Sequence, residues 1–300
     1  MRIAHLSDLH LSSDHFPERT ERFQNILRTC RDQSVDHLVI TGDITNQARP
    51  KEFALARAIV RDHGYLDPQR LTVTIGNHDI FGGPFYAEDV LTFPGTCRTT
   101  DYEAKVREFA RSFRETFEGC KYVSGTSIFP FVKIVQDAAF IGINSVARWS
   151  SIKNPLGSNG DVDDHQRKRL SEIFTSGMFE GLRVFVLIHH HFHKVTENEK
   201  GGALHRLWEA IEAGTMKLRK KKPLLKMFRS ANVDAVLHGH IHHHHQYERK
   251  KVRFHNAGGT MFPPPDRPAM VHLIDTESKG FRHTAVPVEE RRTRRAIVHG

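Results

Sequence analysis

Apolar positions recur along this chain in two alternating patterns. RIAHLS (residues 2–7), HLVIT (37–41) and LTVTI (71–75) are short, rich in β-branched residues and bounded by polar turns, so each reads as a buried strand. Between them Phe23, Ile26 and Leu27, then Phe53, Ala56, Ile59 and Val60, fall at helical spacing. This βαβαβ order predicts a sheet with parallel pairs and buried faces. A helix is expected from Asp101 to Phe117, with Val106, Phe109, Ala110 and Phe113 on one face. FPFVKIVQ (129–136), AAFIGINS (138–145), RVFVLIHH (183–190) and VDAVLHG (233–239) follow as strands. From Gln246 onward QYERKKVRFHNAGG, AMVHLIDT and GFRHTAVPV read as antiparallel hairpin strands, and no internal repeat is visible.

The polar residues at the strand ends change this picture from scaffold to chemistry. RIAHLS is followed by Asp8-Leu9-His10, HLVIT by Gly42-Asp43, and LTVTI by Gly76-Asn77-His78-Asp79. RVFVLI is followed by His189, and VDAVLH by Gly239-His240-Ile241-His242. In α/β sheets ligands gather beyond the carboxyl ends of the strands. Five separate loops would thus deliver carboxylate, imidazole and amide groups to one rim. Asp8 and His10 are two apart, as are His240 and His242; in extended backbone such pairs point the same way. The glycines at 42, 76 and 239 permit close backbone approach. The donor set is oxygen and nitrogen without thiolate, which suits Mn, Fe, Zn or Co, with Mn favoured, better than an all-oxygen Ca²⁺ or Mg²⁺ cage. Seven groups are too many for one tetrahedral ion and suit two metals about 3.5–4 Å apart that share a carboxylate.

The chain has 22 histidines, six of them within the eight positions from His238 to His245. A lone histidine at a strand end is more often structural or solvated than a ligand, and that reading is kept for His5, His37, His63, His165, His205, His272, His283 and His299. His238 reads as the last residue of its strand, and His243 to His245 as part of the next loop or strand, where they could bind stray metal without function. Residues alone do not separate His189 from His190 as the ligand.

The ordered set DLH, GD, GNHD, IHHH and GHIH, spanning residues 8 to 242, resembles the calcineurin-like metallophosphoesterases. The resemblance implies a four-layer α/β/β/α sandwich of two mixed sheets with flanking helices. It implies that Asp8, His10 and His242 hold one divalent metal, that Asn77, His189 and His240 hold the second, and that Asp43 bridges them. His78 would be the acid at the leaving oxygen, and Asp79 would orient His78 by accepting from its other ring nitrogen. The implied reaction is hydrolysis of a phosphoester or phosphoanhydride by a hydroxide bridging the two metals. Where members of the family often read HHPP, this chain reads HHHF at 189–192, a departure at the neighbouring pocket. One branch is similar to class III cyclic-nucleotide phosphodiesterases. Another hydrolyses UDP-diacylglucosamine, a lipid substrate, at the inner membrane surface. A non-catalytic metal-binding scaffold is a third reading, against which the retention of His78 counts.

Composition sets the remaining bounds. The 300 residues are 38% apolar and 26% charged, enough for a packed core in one α/β domain, expected over 1–288 with a basic tail at 289–300. No apolar window approaches a membrane span, and no signal peptide is visible before IAHL. Cys30, Cys97 and Cys120 are odd in number, unpaired in spacing, and read as free thiols of a reducing compartment, which places the protein in the cytoplasm.

A net charge of +9 points to an anionic partner or substrate. No nucleic-acid recognition motif appears, so the expected partner is a phosphorylated small molecule or lipid rather than nucleic acid, with peripheral contact at the inner membrane face left open. Within a helical insertion near 201–222, Leu204, Leu207, Trp208 and Ile211 fall at helical spacing and lead to Lys217, Arg219, Lys220, Lys221 and Lys222. These five cations are candidate substrate contacts. Leu224, Leu225, Met227 and Phe228 after them fit either a crossover helix begun by Pro223 or an apolar lip near the metals. Phe81, Phe85 and Tyr86, in a Gly- and Pro-containing loop, either line the pocket or pack on one another. Arg291, Arg292, Arg294 and Arg295 read as a solvated terminus. Oligomeric state is not legible.

Overall fold

The computed structural model describes residues 1–84, 89, 91–122, 128–192, 216–263 and 267–289. Eleven strands are described: β1 (Arg2–Leu6), β2 (His37–Thr41), β3 (Leu71–Thr74), β4 (Phe131–Val135), β5 (Ala138–Gly142), β6 (Arg183–Leu187), β7 (Ala235–His238), β8 (His245–Arg249), β9 (Val252–Asn256), β10 (Met270–Glu277) and β11 (Gly280–Pro287). They form two sheets, ordered β11-β10-β1-β2-β3 and β4-β5-β6-β7-β9-β8. β1, β2 and β3 are parallel, as are β5, β6, β7 and β9; β10, β11, β4 and β8 are antiparallel to their neighbours. The two C-terminal hairpins therefore go to different sheets.

Alternation along each strand sends side chains to two cores. Ile3, Val39 and Ile274 of the first sheet meet Phe140, Phe185, Leu187 and Leu237 of the second in a buried layer between the sheets. On the outer face of the first sheet, Ala4, Leu6, Ile40 and Val73 pack against helices α1 (Pro17–Asp32), α2 (Pro50–Asp62) and α4 (Tyr102–Ser112). The short α3 (Phe93–Thr99) adds Phe93 and Cys97 to this core. On the outer face of the second sheet, Ile141, Val186 and Val236 pack against α6 (Asp164–Thr175) and α7 (Lys221–Ser230). The result is the expected sandwich of two mixed sheets between helices. No described helix is long and apolar enough to cross a membrane.

Three differences from the sequence reading have local causes. The helix expected over 101–117 breaks at Phe113, whose φ of −124° and ψ of 40° are not helical, and resumes as α5 (Arg114–Phe117). The break turns the last carbonyls of α5 toward β4, where the buried Lys133 ammonium donates to the carbonyls of Glu115 (2.7 Å) and Thr116 (2.8 Å). Helix α6 was not anticipated, because only Leu170 and Ile173 mark its apolar face; its usable signal is the N-cap Asp163, which accepts from the Gln166 amide at 2.7 Å. Helix α7 starts at Lys221, two residues before Pro223, and buries Leu224, Leu225 and Phe228 against the second sheet. These side chains belong to a crossover helix, so the apolar lip is overturned for them. Leu204, Leu207, Trp208, Ile211, Phe85, Tyr86 and the arginines of the tail lie outside the described residues.

Burial pushes the Lys133 amine down to about 8, so it still carries its charge at neutral pH, at the carbonyl end of α5. Lys133→Ala would take a donor from three buried carbonyls, the third being Leu71 at 3.4 Å, and leave Thr116 O with the Cys120 thiol. The expected loss is about 2–4 kcal/mol of unfolding free energy, read by urea denaturation.

Candidate metal centre

The carboxyl ends of β1, β2, β3, β6 and β7 meet where the two sheets come together. Main-chain hydrogen bonds carry the β1–β2 ladder into the loops: the Asp8 amide donates to Gly42 O (3.1 Å) and the His10 amide to Asp43 O (2.9 Å). The Gly239 amide donates to His189 O (3.1 Å), tying the β7 loop to the β6 loop. The Asp8 carboxylate accepts from the His240 amide, 3.0 and 2.9 Å from its two oxygens, and so joins the two sheets.

The backbone does not present these residues in the extended form that the two-residue spacing suggested. Asp8 (φ 56°), His10 (φ 44°), Asp43 (φ 50°) and His240 (φ 73°) all adopt the left-handed region. Each such non-glycine residue costs on the order of 1–3 kcal/mol, and such strain gathers at functional sites. The D-x-H pair converges because both residues turn, not because a strand alternates. Close approach explains two of the glycines. A Cβ on Gly76 would lie 2.2 Å from Asp43 Oδ1, and one on Gly239 would lie 2.2 Å from Asp8 Oδ2.

Two groups of donors result. Asp8, His10 and His242 form one, with His10 Nε2 3.0 Å from His242 Nε2 and 3.9 Å from Asp8 Oδ1. Asp43, His189 and His240 form the other, joined by Asn77: His189 Nε2 lies 3.1 Å from His240 Nδ1, 3.1 Å from Asn77 Oδ1 and 3.2 Å from Asp43 Oδ2. Asp43 Oδ2 also lies 3.8 Å from His10 Nε2, so one oxygen stands in reach of both groups. His190, by contrast, is taken up elsewhere, by Ser145 Oγ (2.8 Å) and Ser158 O (3.1 Å). His238 ends β7 and pairs with Tyr247 and its own loop.

The donors fit two divalent cations. Ligands of a tetrahedral ion bound at about 2.0–2.1 Å stand about 3.3 Å apart, close to the spacings within each group. Nitrogen and oxygen lone pairs facing one another at this range repel unless a proton or cation lies between them. Burial raises the Asp8 carboxyl from its ordinary value. Burial acts the same way on Asp43, but opposing effects led by the facing charge of His189 and its hydrogen bond outweigh it and hold that carboxyl well below the usual range. For His189 burial is likewise outweighed, by Asp43 and Asp8, and the imidazole is pushed up to about 9. Burial and neighbouring rings hold His10 and His240 far below the usual histidine value, as neutral donors. The pocket thus keeps carboxylates away from water and draws positive charge.

His78 stands at the rim. Its ring meets that of His10 edge-on, centroids 4.4 Å apart, and its Nδ1 pairs with Asn46 O at 3.1 Å. Asp79 does not touch that ring, contrary to the sequence expectation. Its carboxylate accepts from Thr45 N (2.9 Å), Thr45 Oγ1 (3.0 Å) and Gly76 N (3.0 Å), bracing the GD loop against the GNHD loop. Burial and then the Asp43 charge push Asp79 up to about 7. The main-chain oxygen of Asn46 therefore does the orienting assigned to Asp79. Sequence reading also missed Phe262, whose ring lies flat on His242 (4.5 Å, 16°), and Arg19, which donates to His10 O at 3.1 Å. No spacing marks either residue, since each reaches the rim only through the fold.

The basic run is placed differently. The Lys217 amide donates to Asn159 Oδ1, Arg219 donates to Lys153 O, and Lys220 faces Asp161 at 3.8 Å. Arg219 lines an open cleft of about 1140 Å³ with Tyr102, Arg107, Arg148 and Trp149, and none of the seven donor residues lines it. Phe81 is buried and packs near Tyr102 rather than facing the donors.

A model of the calcineurin-like phosphoesterase family matches residues 1–244. Among characterised proteins the chain is similar to the DNA double-strand break repair protein Mre11 of Methanopyrus kandleri. They are 31% identical over 151 residues, which cover 45% of this chain and 34% of that protein. The match thus spans about a third of that relative's length. Among solved structures it resembles a dimetal phosphatase from Danio rerio, with a TM-score of 0.56 at 11% identity over 96% of this chain and 99% of the other. It also resembles purple acid phosphatase PPD1 from yellow lupin (Lupinus luteus) seeds, with a TM-score of 0.59 at 11% identity over 96% and 51%. At such identity the likeness is one of fold.

Gly76→Ala sets a methyl against the Asp43 carboxylate and is expected to weaken Mn²⁺ binding about tenfold or more, by analogy with lost ligand support. Gly95→Ala, with nothing within 4 Å, should leave it unchanged. Metal titration followed by inductively coupled plasma mass spectrometry separates the two.

Proposed function

This chain belongs to the calcineurin-like phosphoesterase family, and from that premise we propose that it hydrolyses phosphoester or phosphoanhydride bonds at two divalent cations, with Mn²⁺ favoured. Asp8, His10 and His242 would hold one ion, and Asn77, His189 and His240 the other, with Asp43 between them. The observation that carries this reading is Asp43 Oδ2, which stands 3.2 Å from His189 Nε2 and 3.8 Å from His10 Nε2 and so belongs to both donor groups. When bound, two such cations neutralise phosphate charge and lower the pKa of a coordinated water from ~15.7 toward ~7.

The chain's own residues supply orientation and a proton. The Asp43 carboxylate is kept in place by the His78 amide, which donates to its Oδ1 at 2.8 Å. His189 Nδ1 donates to Thr41 O at 2.8 Å, which leaves Nε2 as its donor atom. With the Nδ1 proton of His78 directed at Asn46 O, Nε2 is the atom left to meet the leaving oxygen. In the protonated ring it hands over its proton as the bond to phosphorus breaks. General acid help of this kind is worth ~10²–10⁴-fold in rate.

Among the described residues nothing favours a lipid substrate. Leu224, Leu225 and Phe228 after the basic run are buried and Met227 is partly so, and Arg219 and Lys220 are engaged with Lys153 and Asp161. We therefore favour a phosphodiester carried by a soluble molecule. His78 would be superfluous in a metal-binding scaffold, which argues for catalysis.

With Mn²⁺, hydrolysis of bis-p-nitrophenyl phosphate is expected. His78→Asn should lower kcat by ~10²–10⁴-fold while metal content stays at two equivalents. Asp43→Asn should lose metal and activity together. Inactivity of the wild type on mono-, di- and pyrophosphate substrates, with two metals bound, would sink the catalytic reading and leave the scaffold. Chelation should abolish activity, and restoration by Mn²⁺ should exceed restoration by Mg²⁺, as expected for nitrogen-rich donors.

A further inference from the structure

A second histidine assembly lies away from the rim. His272 is on β10, and His283 is diagonal to it on β11 of the first sheet; His244 immediately precedes β8 of the second. Each offers a ring nitrogen, and the three nitrogens all lie within 4.8 Å of one another. His244 and His283 are 39 residues apart in the chain, so this is a product of tertiary structure and not of the local histidine run. We propose that His244, His272 and His283 form a third metal site, for a borderline transition ion such as Zn²⁺, Ni²⁺ or Co²⁺, which staples the edge of one sheet to the edge of the other.

Four observations support ligation. His272 Nδ1 is buried with no hydrogen-bond partner, a lone donor atom whose desolvation nothing offsets. His244 Nδ1 pairs with Asn256 O at 2.9 Å, the arrangement that holds a ligating imidazole by its far nitrogen and presents Nε2, which stands 3.5 Å from the Gln246 amide nitrogen. Burial holds His272 down to about 2 and His283 down to about 4, so both are neutral donors at physiological pH. A fourth position is available too. His255 Nδ1 is also buried without a partner, and its ring centroid is 4.9 Å from that of His283; the Gln246 amide, which donates to His283 Nδ1 at 2.7 Å, would give up that bond if this nitrogen took the metal. A cavity of about 350 Å³, lined in part by Gln246, His255 and His283, leaves room for water in the coordination shell.

The rings are nearly parallel, with His244 and His272 face to face at 3.6 Å and 10°. Ligation by both needs one ring to turn about χ2, a torsion with broad, soft wells. Turning His272 breaks no hydrogen bond at its Nδ1. Zinc–nitrogen bonds of about 2.0–2.1 Å then require the donors to close from their present spacing by roughly an ångström.

The test is metal content after chelator stripping and dialysis against Zn²⁺, with folding checked by circular dichroism. The wild type should hold one equivalent more than His283→Ala, and the same equivalent should vanish in His272→Gln and in the exposed His244→Ala. Zn²⁺ affinity at the third site should fall more than tenfold in each. Mn²⁺-dependent phosphoesterase activity of His283→Ala should match the wild type, since none of the three lies in the binuclear centre. Equal zinc content in wild type, His283→Ala and His272→Gln would overturn the proposal, because stray binding by the run at 242–245 does not need β10 or β11. Failure of the binuclear reading would appear separately, as fewer than two equivalents left in all three variants.

Discussion

Two carboxylates withdrawn from water organise this molecule. Asp8 and Asp43 are almost fully buried where both sheets end, and an isolated ionised carboxylate in such a place costs several kcal/mol. The offset comes from imidazoles and main-chain amides converging from five loops, and it is the reason those loops must arrive together. Asp8 takes its hydrogen bond from the His240 amide of the other sheet, and Asp43 takes one from the His78 amide. The charge balance of the pocket is therefore also the seam of the sandwich.

Precision at this seam is stored as backbone strain. Four of the seven donor residues hold positive φ, and their conformations are over-determined by ladders that continue past the strand ends. Asp79 contributes from behind, with three donors fixed on its carboxylate and no contact to the His78 ring. It braces two loops against each other, while Asn46 O orients the His78 imidazole. Bracing of the loops and orientation of the ring thus fall to different residues that a linear motif runs together.

Histidine serves three physical roles in one chain. At the rim it is a donor facing carboxylates. In His37 it is a satisfied core residue, paired with Gln69 O and Thr72 Oγ1 and stacked on Phe140. Between the sheet edges His244, His272 and His283 gather in one cluster, in which His272 Nδ1 is buried without a partner. Burial and partners, not the residue type, separate these roles.

Much of this was legible from the residues in order. Strand runs alternating with amphipathic helices indicated an α/β fold with parallel pairs, and the five polar loops at strand ends indicated the candidate donors, because a strand end fixes where a loop must begin; the four-layer sandwich followed from the family resemblance that those motifs carry. The engagement of His190 by Ser145 and Ser158, the hand-over of orientation from Asp79 to Asn46 and the left-handed turns at Asp8 and His10 came only from the tertiary structure. So did Lys133 on its three carbonyls, Phe262 against His242, and the meeting of His244 with His272 and His283. Each depends on contacts between elements remote in the chain, and a hydrogen bond or a ring stack across two sheets leaves no period in the sequence.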